Sequence, residues 1–147
     1  MDMITNERQR QHTSKKLADL EALIEATLRG DAGDDGFRDL QVAGLESQAT
    51  HLRDELAEYE KLRDGSTTVI EATSLAGLAD ALIKARIARG WTQRQLADRL
   101  GVAEQQVQRY ESTSYRTASL ARLCDIADAL DVTITQRAML GTDAHVA

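Results

Sequence analysis

Between Thr92 and Glu111 the chain fits two helical patterns into twenty residues, either side of a single glycine, Gly101. Thr92 is a capping residue type, and Leu96, Ala97 and Leu100 follow it at helical spacing. Gly101 tolerates the left-handed backbone that ends a helix abruptly. The next pattern, about Glu104–Tyr110, buries Val107 and turns Glu104, Gln105, Gln106, Gln108 and Arg109 outward. Two helices this short need a rigid turn between them and a partner behind them. The outward face is then free for recognition, and its residues are amide, arginine and one carboxylate.

The surrounding chain suits such a core. It has 147 residues, 42% hydrophobic, with 3% aromatics and no proline. That composition favours helices built on Leu and Ala over sheets, which draw on β-branched and aromatic residues. Cys124 is the single cysteine, so no internal disulfide or multi-cysteine zinc site is available, which suits a reducing cytosol. His12, His51 and His145 lack ligand spacing. No signal-peptide pattern and no 18-residue apolar run is seen, so a cytoplasmic protein with no membrane span is expected. No phosphate-cradling glycine loop and no Ser/His/Asp arrangement occurs; neither an enzyme nor a cofactor is expected.

The N-terminal part reads as a hairpin. Thr13 or Ser14 can cap a helix carrying Leu17, Leu20, Leu23, Ile24 and Leu28, and Met3–Gln9 can extend it toward the N-terminus, which leaves its start open. The stretch RGDAGDDG, 29–36, breaks it. A second helix carries Leu45, Ala49, Leu52, Leu56, Tyr59 and Leu62 at near-heptad spacing. The apolar stripe is too narrow for a self-sufficient core, so the hairpin should pack on something else. Leu17, Leu20, Ile24, Leu28, Leu45, Leu52, Leu56 and Tyr59 are its expected dimer or partner contacts. The division expected is a hairpin over 1–63, a linker over 64–74 and a compact helical domain over 75–147. In that domain Ser74 caps a helix with Leu75, Leu78, Leu82, Ile83 and Ile87, ended by Gly90. Ser119 caps the last helix, with Leu120, Leu123, Ile126, Ala127 and Leu130, on whose apolar side Cys124 is expected as a core thiol. The architecture expected is all-α. A short strand pair from about 67–71 and 132–136 is a further expectation, because both stretches are β-branched.

The net charge of −6 argues against a generic polyanion binder, but it is unevenly placed. Residues 1–74 hold 9 Lys/Arg against 16 Asp/Glu, a net of −7; residues 75–147 hold 9 against 8, a net of +1. Within 84–122, eight arginines and lysines face only Asp98, Glu104 and Glu111. Local charge of that sign suits contact with phosphates.

The segment Thr92–Glu111 resembles the helix-turn-helix of the Cro and phage-repressor (XRE) family. The resemblance rests on Thr92-Gln93, Leu96-Ala97, Leu100-Gly101-Val102, Val107 and Arg109-x-Glu111, and extends over roughly Leu75–Val132. It implies a DNA-binding regulator whose third domain helix enters the major groove. Gln can there pair with adenine, Arg with guanine, and Glu can accept from cytosine. Glu104, Gln105, Gln106, Gln108 and Arg109 are the implied base readers. Thr92, Gln93, Arg94, Thr113, Ser114, Tyr115 and Arg116 are the implied DNA-backbone contacts, with Gln93 as phosphate clamp. Arg86 and Glu111 match a buried ion pair of some members. Ala103 departs from the usual Ser/Thr cap, Glu104 is acidic near phosphates, the loop STSYRTA lacks the usual Asn-Gly, and no fifth domain helix is evident. The function implied is a homodimeric repressor on a palindromic operator in double-stranded DNA. Two alternatives stand beside it: an antitoxin that binds a toxin through the acidic hairpin, and an interaction scaffold that no longer reads DNA.

Overall fold

The computed structural model describes residues 3–30 and 33–141. Among them the chain is all-helical: α1 (Glu7–Arg29), α2 (Asp35–Arg63), α3 (Leu75–Ala88), α4 (Gln93–Leu100), α5 (Glu104–Ser112) and α6 (Leu120–Ala129). No described helix is long and apolar enough to cross a membrane.

α1 and α2 pack antiparallel. Ile24, Ala49 and Leu52 are buried between them, with Leu17, Leu20, Leu45 and Leu56 half-buried alongside. Arg53 reaches across to Glu21 at 2.9 Å. The start of α1 lies earlier than a Thr13 or Ser14 cap would put it. Asn6 is the cap: its Oδ1 accepts from the Gln9 amide at 2.9 Å, and the Gln9 side chain accepts from the Thr5 amide at 2.8 Å. That reciprocal pairing satisfies donors the first turn leaves open, so the helix begins two turns sooner. Ile24, Leu52 and Tyr59 are consumed by packing within the chain, which removes them from the expected dimer or partner contacts. Leu28 stays exposed, as do Leu23, Phe37 and Leu40 near the turn.

The hairpin rests on the helices that follow. Ile4, Tyr59 and Leu62 share one buried cluster with Leu82, Ile83, Ile87, Leu96, Ala97, Val107, Ile126 and Leu130. Lys84 on α3 pairs with Glu58 on α2 at 2.6 Å. The core of the C-terminal helices therefore draws residues from both arms of one end of the hairpin, the segment before α1 and the last turns of α2.

Three sequence expectations are corrected. No strand forms at 67–71 or 132–136; both stretches are without regular secondary structure. Val69 and Ile134 face solvent, while Ile70 and Val132 pack against the helical core, so each stretch is held by a side chain rather than by a ladder. Cys124 is exposed. It follows Leu123 by one residue, about 100° around the helix from the face that buries Ile126, Ala127 and Leu130. Leu75 and Leu120, each the first residue of its helix, are exposed because no element covers either helix start.

Candidate nucleic-acid interface

The interface is built on four helix ends closed in the same way. Thr92 caps α4 through a full capping box with Gln95. At the other end Gly101 has φ 68°, and the amides of Gly101 and Val102 bond back to Asp98 and Ala97. α3 ends likewise through Gly90 and Trp91, α5 through Ser114 and Tyr115, and α6 through Asp131 and Val132. Each closing residue adopts the left-handed conformation, at φ 71° for Gly90, 48° for Ser114 and 52° for Asp131. This pattern caps the last carbonyls and reverses the chain within two residues. It sets the tight passage from α4 to α5.

α5 is held from behind. Val107 and Glu111 are buried and Tyr110 and Gln106 half-buried, so the helix turns one arc inward. Gln105, Gln108, Arg109 and Ser112 occupy the opposite, exposed arc, with Glu104 at its edge. The Gln108 amide donates to Glu104 at 3.4 Å. Of the five expected base readers, four are exposed; Gln106 sits at the flank. Ala103 makes no side-chain cap bond, so α5 starts without the hydroxyl that α3, α4 and α6 have in Ser74, Thr92 and Ser119.

Behind α5 lies a buried polar network. Arg86 pairs with Glu111 at 2.6 and 2.9 Å, donates to the Trp91 carbonyl at 2.6 Å, and donates to the Thr5 carbonyl. Gln93 donates to the second Glu111 oxygen at 2.8 Å and accepts from Asn6 at 3.4 Å. An ion pair this deep gains little over apolar packing, but removing one partner leaves a buried charge and costs about 3–5 kcal/mol. The network fixes where α3, α4 and α5 meet, and so the pose of α5.

The network also reassigns two residues. Gln93, expected to clamp a phosphate, is 6% exposed, and its carboxamide is used by Glu111 and Asn6. Tyr115, expected at the DNA backbone, is 3% exposed and stacks on Tyr110 with ring centres 5.8 Å apart. Its hydroxyl has no partner among the described residues. Burial, with Glu111 nearby, pushes that hydroxyl far above the ordinary tyrosine pKa. The left-handed backbone at Tyr115 turns its ring inward, at φ 57°. Thr92, Arg94 and Arg116 are exposed, and Thr113 and Ser114 half-buried. The Thr113 hydroxyl donates to the Arg109 or Tyr110 carbonyl at 3.2 Å.

Sequence reasoning missed the segment before α1. Ile4, Thr5 and Asn6 dock on the network, contributing an apolar side chain, a carbonyl and an amide. Asn6 with Gln9 was a readable cap signal; the docking, between residues more than eighty positions apart, had none.

Residues 82–136 match the helix-turn-helix family model. No curated protein and no solved structure gives a significant match to the chain. The matched span runs from the middle of α3 past the end of α6 and includes the α4–α5 pair with its left-handed Gly101. Residues 82–136 are thus a helix-turn-helix domain, in agreement with the resemblance to the Cro/phage-repressor (XRE) family, and a domain of this family supports a DNA-binding regulatory role.

Proposed function

We propose that the protein is a repressor that binds a palindromic operator as a homodimer, with α5 of each copy in the major groove. The exposed arc of α5, fixed from behind by the Arg86–Glu111–Gln93 network, is the observation that carries this reading. Gln105, Gln108 and Arg109 read base edges, with Glu104 and Gln106 at the margins. Thr92, Arg94, Thr113, Ser114 and Arg116 face the sugar–phosphate backbone. One reading helix spans few base pairs, so two copies on half-sites about 10 bp apart supply the specificity. The hairpin makes the dimer, through the apolar side chains exposed near its turn, while residues 75–147 bind DNA.

Selection of bound sequences from a random duplex pool tests this reading. A palindromic consensus is expected. Gln105→Ala should then relax preference at one position of each half-site by about 1–3 kcal/mol. A folded protein that recovers no consensus would overturn the proposal.

A second reading draws on the same hairpin. Phe37 and Leu40 are exposed beside Asp34, Asp35 and Asp39, an acidic apolar surface that suits a basic protein. The protein would then be an antitoxin that also represses its own operon. Co-purification with the product of a small, basic neighbouring reading frame would favour it; a neighbour that never co-purifies would count against it.

A further inference from the structure

The hairpin is acidic as a whole but not throughout. From Met3 to Lys16 it holds Arg8, Arg10, Lys15 and Lys16 against Glu7 alone. From Leu17 to Glu58 it holds three arginines against eleven carboxylates. That basic stretch of α1 lies at the end of the hairpin that docks on the C-terminal helices, through Ile4, Thr5 and Asn6, beside an α2 end that carries Glu55, Glu58 and Glu60 with Lys61 and Arg63. Arg8, His12 and Lys16 recur at four-residue spacing, so they form one stripe along α1. That stripe lines an open groove whose other wall includes Glu104, Gln108 and Ser112 of α5.

The ion pairs sharpen the point. Arg10, Arg29, Arg38, Arg53 and Arg63 of the hairpin each have a carboxylate partner. Arg8 and Lys16 have none among the described residues, though Glu7 and Asp19 lie close in sequence. Two unpaired cations sit on a helix held rigidly beside α5, in a groove that Glu7, Glu55 and Asp80 also line.

We propose that the Arg8–Lys16 face of α1 is a second DNA-backbone surface, taking phosphates of the strand that borders the groove read by α5. This rests on the DNA-reading role of α5 and extends it to a segment outside the matched domain. Docking of Ile4, Thr5 and Asn6 fixes the two helices relative to each other, so the phosphate contacts require no separate ordering step. The distal carboxylates keep the rest of the hairpin off the duplex and orient the molecule.

The test is the salt dependence of binding by the full chain to a short duplex carrying the selected site. Each phosphate contact adds about 0.9 to the slope of log affinity against log salt. Arg8→Gln with Lys16→Gln should lower that slope by about 2 and weaken binding roughly ten- to hundred-fold near 0.1 M salt, with the consensus unchanged. Both positions are exposed or lie on the helix surface, and glutamine keeps the helix, which circular dichroism verifies. An unchanged slope, or tighter binding because α1 shields α5, overturns the inference. Arg109→Gln measured in parallel separates the two readings. Loss there with a silent double variant sinks only the role of α1. Silence in both, with no sequence preference in the wild type, sinks the reading of α5 as well.

Discussion

Tyr115 carries a cost that a smaller change would remove. Its hydroxyl is buried without a partner, and an unmade hydrogen bond of that kind costs about 1–3 kcal/mol. Tyr115→Phe keeps the ring stacked on Tyr110 and should leave stability unchanged or raise it by about 1 kcal/mol, read from urea denaturation. The sign of its pH dependence follows from the raised pKa. Below the ordinary tyrosine range both states hold the proton and nothing is lost. Above about pH 10 the unfolded chain releases it and the folded one does not, so stability falls with rising pH. The difference in unfolding free energy between Tyr115→Phe and wild type should therefore widen from pH 8 to pH 11 (from about two units below to about one unit above the free tyrosine pKa). A constant difference would show that the hydroxyl titrates alike in both states. The family resemblance had placed Tyr115 and Gln93 at the DNA backbone. Which of two polar residues turns inward depends on partners that come from elsewhere in the chain, here Glu111 and Asn6, and no local pattern carries that.

At the scale of elements, the reading domain was legible because its boundaries are local events. Ser74, Thr92 and Ser119 cap helices as their residue types imply, and Gly90 and Gly101 end them. The α5 end was harder. The same closing turn is made there by Ser114 and Tyr115 in a conformation that favours glycine or asparagine, so the usual signal is missing while the geometry persists. The uncapped start of α5 was legible from Ala103 and has a consequence. Ala103→Ser should supply a bond to the open amides of the first turn and raise stability by roughly 1 kcal/mol, measured as an increase in the urea midpoint at constant m-value. A midpoint that does not move would mean that solvent already satisfies those amides as well. The strand pair failed for the opposite reason to the caps: β-branched residues describe a tendency, and two short stretches tied separately to a helical core have no need of each other.

At the scale of the molecule, the two ends of the hairpin differ in kind. One is of mixed charge and fused to the helix-turn-helix domain; the other is acidic and exposes apolar side chains, with Phe37 at 65% and Leu40 at 72% accessibility. If that far end joins two copies, Phe37→Glu with Leu40→Glu should convert the dimer to a monomer in sedimentation at micromolar concentration without loss of helix signal. An unaltered dimer would move the contact elsewhere, and a wild-type monomer, alone and on DNA, would remove it. The docking of the first residues matters in time as well as space. Arg86 completes its bonds only when Thr5 and Glu111 both reach it, one from near the start of the chain and one from three quarters along. Hairpin contacts close over short loops, whereas this junction waits on long ones. During synthesis, which runs from the N-terminus, the hairpin can assemble while Arg86 still lacks its carboxylate. A nascent chain stalled short of Glu111 would hold a finished lever and an unfinished head, and the helix-turn-helix is set in place only once Glu111 has been made.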